Sequence, residues 1–478
     1  MLTMQSSEEA RDRDGKIEVE RTGDAGRENF RQAEAYLAKL RVPLFLRDGS
    51  PHERLYIAGM DGTGNSMFDD DPAQWSTIAK IYKRIEEARP PGVAAGYVEG
   101  TFTQNGLLRT PEKLFDGPFG HTFDERVETA YFKFCVQAKE RLREDPEAQI
   151  RVAGIGFSRG AEEIAALERM IDVRGIRDPD DAEYRLNGEN LITRIEYADR
   201  PLLVQPGLTP QVALLIDPVQ TGVGEHDRRL PPSTLKTFQL TAENERRDLF
   251  KVTLHVPLGF SEDDRSLNLA RPGSHGNMAD TRLRNGLGIE NYNLSVEFLN
   301  RLSDTPYLEK RPLPTDPEQY VIHRSDQHMG GLYGTRGYDR DGIRDQVNTL
   351  APERLCRRGV VDDCNRKEPI DEALDAQFER RSGVSPPAPD KVMQPDAGDR
   401  STWPGLNDLV EQASRAAAVM GSDPMSAVVS EYLSGPWARQ FQADVERALA
   451  AREGQPLHMT LPQASPVEPA RESPVPVR

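Results

Sequence analysis

The sequence predicts an α/β fold, a mostly parallel sheet covered by helices, and three observations carry that reading. Short apolar runs alternate with segments of helical period, several runs end in Gly-rich or acidic turns, and the runs are apolar at nearly every position rather than at every second one. Strands buried on both faces lose the in–out alternation of a half-exposed sheet, which is the mark of parallel strands flanked by crossover helices.

Taken in order, a helical pattern (Phe30, Ala33, Tyr36, Leu37, Leu40) opens the folded part. The run Leu55-Tyr56-Ile57-Ala58 reads as a buried strand emptying into Gly59-Met60-Asp61-Gly62-Thr63-Gly64-Asn65. A helix is expected over 77–87, a strand over Val93 to Val98, and a helix on Val127, Tyr131, Phe134, Cys135 and Ala138. Ile150 to Phe157 is a strand and Ala161 to Ile171 a helix. After a polar stretch from Asp172 to Gly207, whose length alone suggests a lid, Val212 to Ile216 is again an apolar strand, ending at Asp217. A further strand is expected over 252–259.

This gives a domain plan. Residues 1–28 are charged and aperiodic and read as a disordered lead-in. Residues 29–381 form the α/β domain, 382–404 a Pro-, Asp- and Gly-rich linker, 405–454 a C-terminal helical segment (patterns over 406–420 and 425–451), and 455–478 a Pro-rich disordered tail.

Composition excludes several classes. With 61 Lys and Arg against 78 Asp and Glu, the net charge is −17, so binding of nucleic acid by phosphate neutralisation is not expected. Any peripheral membrane contact must be local and apolar. The first residues hold no apolar leader and no later run is long enough to span a bilayer, so a chain made in the cytoplasm without a signal peptide is expected. Three cysteines make no metal motif: Cys135 reads as a buried thiol, and Cys356 and Cys364 either close a small disulfide loop or remain free thiols. No metal and no cofactor are expected. The acidic run Asp69-Asp70-Asp71 reads as a solvated cap before Pro72 rather than a calcium loop.

The chemistry-bearing motif is Gly156-Phe157-Ser158-Arg159-Gly160, a Gly-x-Ser-x-Gly placed between a strand and a helix. That setting is the nucleophile elbow of an α/β-hydrolase-like sheet: the sharp turn lifts Ser158 clear, and the glycines remove side chains that would collide with neighbouring backbone. The Arg159 N–H then faces a developing oxyanion at the positive end of a helix. A serine hydroxyl needs a base, and the base an acid that fixes its tautomer, in the chain order Ser, acid, His. Asp217, at the end of the next strong strand, is the candidate acid, and His275, on the Gly-bounded loop Arg271-Pro272-Gly273-Ser274-His275-Gly276-Asn277, the candidate base. His323 and His328 are the rivals on a polar loop, while His255 is expected to pack inside a strand.

Asp61-Gly62-Thr63-Gly64-Asn65, Gly156-Phe157-Ser158-Arg159-Gly160, Asp217-Pro218-Val219, Asn244 to Phe250 and Pro272-Gly273-Ser274-His275 stand in this order. Together they resemble the catalytic domain of type VI secretion lipase effectors, an α/β-hydrolase family that includes phospholipases A; the resemblance covers about half the chain. It implies Ser158 as nucleophile, Asp217 as acid and His275 as base, with Gly62, Thr63 and Gly64 beside Arg159 completing an oxyanion hole. Pro218 stands where the family often has Thr, and Gly276-Asn277-Met278 departs from its usual continuation after the His. It further implies a phospholipid or other lipid ester substrate, delivery into a target cell with a secretion-system component, an antibacterial role and an immunity protein in the producer. Two other classes were open from the residues. A catalytically inactive hydrolase-fold binding module shares the motif, and a nucleotide-binding α/β enzyme would use Gly154, Gly156 and Gly160, although Arg159 occupies the third glycine's place in that fingerprint.

Overall fold

The computed structural model describes residues 18–100, 122–325, 344–352 and 368–382. The linker, the C-terminal helical segment, the tail, Cys356, Cys364 and His328 lie outside the described residues.

Order starts earlier than the periodicity suggests. Val19–Arg21 pairs antiparallel with Val321–His323, and helix α1 runs Gly23–Lys39, so the lead-in read as reaching residue 28 already contains two elements. Charged residues hid both, because the strand is exposed throughout and only one face of the helix is apolar.

The centre is a seven-stranded sheet. Its strands are β1 (Glu53–Met60), β2 (Val93–Val98), β3 (Gln149–Phe157), β4 (Gln211–Ile216), β5 (Thr234–Ala242), β6 (Gly259–Phe260) and β7 (Ser266–Arg271). The spatial order is β6-β7-β5-β4-β3-β1-β2, parallel except for the short edge pair β6–β7. Crossover helices α2 (Thr77–Ala88), α3 (Phe123–Glu144) and α4 (Arg159–Arg174) link β1 to β2, β2 to β3 and β3 to β4; α5 (Gly286–Asn300) follows β7.

Successive residues along each strand feed opposite cores. Leu55, Ile57, Ile155, Phe157, Leu214 and Ile216 pack with α1, α2 and α5 on one face, whereas Tyr56, Ala58, Val152, Ala213 and Leu215 pack with α3 and α4 on the other. Both faces are therefore dry, as the continuous apolar runs require. Among the described residues no helix is long and apolar enough to cross a membrane.

Two strands of the central sheet escaped the sequence reading, and the strand expected over 252–259 is reduced to Val252–Thr253 and Gly259–Phe260. Both β5 (TLKTFQLTA) and β7 (SLNLAR) are fully or nearly buried yet half polar. Several of their polar side chains find internal partners: Thr234 donates to Glu168, Gln239 to the Thr253 carbonyl, and Thr241 to Asn268. Such pairing lets polar groups sit in a core at little cost, which an apolar-run criterion cannot see. The polar stretch 172–207 is not a bare loop. It carries the hairpin Glu183–Leu186 and Ile192–Glu196, fastened to α3 where the Thr129 hydroxyl accepts from the Ile192 amide.

The chain steps from β1 to β2 on one side and then returns to place β3 on the other side of β1. The carboxyl ends of β1 and β3, on either side of this reversal, are where open parallel sheets bind ligands. The loop Asp61–Asn65 and Ser158 both emerge there.

Candidate active site

Ser158 follows β3 directly and precedes α4, with φ 57° and ψ −124°. A non-glycine residue so placed is strained, and the surroundings over-determine it. Its N–H donates to the Ile216 carbonyl, and its carbonyl accepts from Ala161 and Val219. Close packing explains the flanking glycines: a Cβ on Gly160 would lie 2.2 Å from the Met60 carbonyl oxygen, and one on Gly156 2.4 Å from that of Gly160.

Asp217 is the first residue beyond β4, fully buried and also at positive φ. One carboxylate oxygen, Oδ2, lies 2.5 Å from Nδ1 of His275. The other, Oδ1, accepts from the Ala242 amide (2.8 Å) and from Nη1 of Arg344 (2.5 Å). Burial alone would raise this carboxyl, but Arg344 and His275 outweigh it and hold Asp217 well below the ordinary range, hence ionised.

His275 begins a single helical turn, His275–Met278, whose Ser274–Asn277 capping box fixes its entry. The ring stacks on Phe157, the residue before Ser158, at 4.6 Å between centroids, and Phe250 meets it edge-on at 4.9 Å. Its backbone N–H donates to Glu245 Oε2, and burial holds the imidazole below its ordinary value against the upward pull of Asp217. The structure thus brings Asp217 and His275 into direct contact, with His275 packed on the residue that carries the elbow.

The loop at 61–65 lies against the elbow, since Arg159 Nε donates to Thr63 Oγ1 at 2.6 Å. The Gly62 amide, however, is spent on Asp61 Oδ1 (2.8 Å), because the buried Asp61 carboxylate gathers donors from Gly62, Ser76 and Tyr97. Even so, burial pushes Asp61 up to about 6. Of the rival histidines, His323 is fully buried at the end of its short strand, beside the Asn277 amide. His255 stands outside the strands and meets Glu162 Oε2 through Nε2 at 3.0 Å; Arg228 reaches the same oxygen at 2.6 Å, which anchors the first turn of α4. Asp71 caps the 3-10 turn Pro72–Gln74 through the Ala73 amide, and Asp70 accepts from Ser66.

Glu245 and Arg344 were not singled out from the sequence. Glu245 binds Arg247 through both oxygens and sits at about 2, the Arg247 guanidinium outweighing burial. Its place in Asn244 to Phe250 was a signal, whereas Arg344 lies far along the chain in a polar segment without periodicity. A cavity of about 410 Å³ at the carboxyl end of β2, lined by Phe68, Tyr97, Glu99 and Lys133 among others, contains none of Ser158, Asp217 and His275.

Strand order and elbow define the class of the chain: it has an α/β-hydrolase fold. Within that class the likeness read from the sequence is borne out over residues 54–191, which match the family model described as T6SS, phospholipase effector Tle1-like, catalytic domain; the blocks at Asp217, Asn244 to Phe250 and His275 lie beyond that match. Comparison with curated proteins gives no match. Among solved structures, an uncharacterized protein from Pseudomonas aeruginosa is 15% identical with TM-score 0.35, over 56% of this chain and 49% of its own. The Tle1 effector bound to the VgrG spike of the type 6 secretion system is 17% identical with TM-score 0.25, over 50% and 51%. An acetyl ester-xyloside bifunctional hydrolase from Caldicellulosiruptor lactoaceticus is 11% identical with TM-score 0.22, over 49% and 78%. The chain spans about half the length of the first two.

Proposed function

We propose that the protein is a serine esterase that cleaves lipid esters, phospholipids first among them, through Ser158, His275 and Asp217. The observation that carries this reading is the contact of Asp217 with His275, whose ring stacks on Phe157 next to a strained Ser158, in an α/β-hydrolase sheet whose segment 54–191 is Tle1-like. His275 Nε2 takes the Ser158 proton as Oγ attacks the ester carbonyl; Asp217 keeps the Nδ1 proton in place and stabilises the imidazolium. The Arg159 amide and the loop Asp61–Asn65 receive the oxyanion. His275 then protonates the departing alcohol, and water repeats the sequence to free the fatty acid.

A lipid rather than a soluble ester is supported by the phospholipase family model over 54–191, and Leu249, 51% exposed, adjoins Phe250, whose ring meets His275 edge-on. An exposed apolar side chain there offers the local membrane contact that the net negative charge otherwise opposes. The family likeness supports a further reading, an antibacterial effector exported through a secretion-system component such as the spike that Tle1 binds, with an immunity protein guarding the producer.

The test is to incubate the purified chain with vesicles of defined phospholipids and identify products by mass spectrometry, beside Ser158→Ala. Free fatty acid and lysophospholipid from the wild type alone are expected. Equal traces from both would overturn the reading, and cleavage confined to short soluble esters would remove the lipid substrate while keeping the esterase.

A further inference from the structure

We infer that Arg344 is a positioning residue of this site, a buried guanidinium that fixes the Asp217 carboxylate for His275 and sets the pH at which His275 becomes a base; the inference rests on the triad proposed above. Three observations carry it.

The first is stereochemical. A carboxylate with one oxygen on His275 is free to rotate unless its second oxygen is also held, and here Oδ1 is held by the Ala242 amide and by Arg344 Nη1. Arg344 is itself immobilised, since Nη1 also donates to the Ala242 carbonyl at 3.0 Å and Nη2 to the Phe250 carbonyl at 2.5 Å. One planar fork therefore ties together the end of β5, the acid, and the residue whose ring edges the imidazole.

The second is electrostatic. Asp217 is wholly buried and Arg344 5% exposed, so solvent screens their interaction little. Burial raises a carboxyl there, and Arg344, the His275 contact and the Ala242 amide together keep Asp217 an ionised acceptor for Nδ1–H; the last two remain when Arg344 is replaced.

The third is charge balance. The charged groups that bear on His275 are Asp217 and Glu245 on one side of the ledger, and Arg247 with Arg344 on the other, Arg344 acting through both carboxylates. Two anions and two cations balance around the ring, and burial then holds the imidazole below its ordinary value. Removing Arg344 leaves a surplus negative charge beside the ring and favours the imidazolium.

The experiment follows the rate of Ser158 modification by a fluorophosphonate as a function of pH, in the full chain, for wild type, Arg344→Lys and Arg344→Gln, with thermal unfolding in parallel. Arg344→Gln should move the acidic limb of the profile up by about one pH unit and lower the plateau rate at least roughly tenfold. Arg344→Lys keeps the charge but not the fork, so its limb should stay with the wild type while its plateau falls roughly tenfold. If the Gln variant does not fold, the Lys variant decides alone: a wild-type plateau, or a displaced limb, overturns the inference. A Gln variant with the wild-type limb, losing rate only as it loses stability, would overturn it as well. Absence of labelling at Ser158 in the wild type would instead refute the triad itself.

Discussion

Asp217 Oδ2 stands 2.5 Å from His275 Nδ1, so the acid addresses the nitrogen that leaves Nε2 free to act as a base. An amide at 217 would present either a donor or a weaker acceptor to that nitrogen and would favour the wrong tautomer. Asp217→Asn is predicted to cut kcat on any ester by roughly a thousand- to ten-thousand-fold, measured by steady-state hydrolysis of a soluble chromogenic ester. A loss below tenfold in the folded variant would contradict the assignment.

Leu249 gives a prediction that separates lipid from soluble substrate. Replacing it with Asp places a charge beside Phe250 on a side chain that is 51% exposed. Hydrolysis of phospholipid vesicles should fall about tenfold or more, with turnover of a short water-soluble ester unchanged within about twofold. Equal effects on both substrates would remove Leu249 from any role in membrane contact.

Gly160 is fixed by space. A methyl there would meet the Met60 and Asp61 carbonyl oxygens at 2.2 and 2.6 Å, and both belong to backbone that cannot yield cheaply. Gly160→Ala should lose about 3 kcal/mol or more in urea unfolding, provided the variant is soluble. A loss within about 0.5 kcal/mol would show that the elbow relaxes more easily than its packing implies.

How much of this was legible in the sequence depends on what each residue's neighbours are made of. The runs around Ile57, Ile155 and Leu214 announced their strands because apolar residues fill both faces, and the Gly-x-Ser-x-Gly motif announced the turn because only glycine fits against β1. By contrast β5 and β7 stayed hidden, since Thr234, Gln239, Thr241 and Asn268 are buried only by virtue of partners remote in sequence. Asp217 and His275 were placed by chain order and strand ends. Arg344 could not be, because its role exists only once residues 127 positions apart meet.

Buried acids on α4 make stability depend on pH. Burial pushes Glu168 up to about 8 and Glu163 up to about 7, from 4.5. For an acid raised in the folded state, the unfolded chain releases its proton first, so stability is greatest below about 4.5 as far as these groups are concerned and declines as pH rises towards about 8. Glu168→Gln keeps an acceptor for the Thr234 hydroxyl but cannot ionise. Between pH 6 and 9, the melting temperature of the wild type should fall several degrees further than that of Glu168→Gln, as followed by circular dichroism. Parallel curves would place the ionisation elsewhere.

The most direct test of the central claim is to map the residue that reacts with a lipid-like fluorophosphonate by peptide mass spectrometry, in the wild type and in His275→Ala. Stoichiometric modification of Ser158, slowed at least a thousandfold when the imidazole is removed, is the predicted result. Modification of another residue, or an unchanged rate at Ser158 without His275, would contradict it.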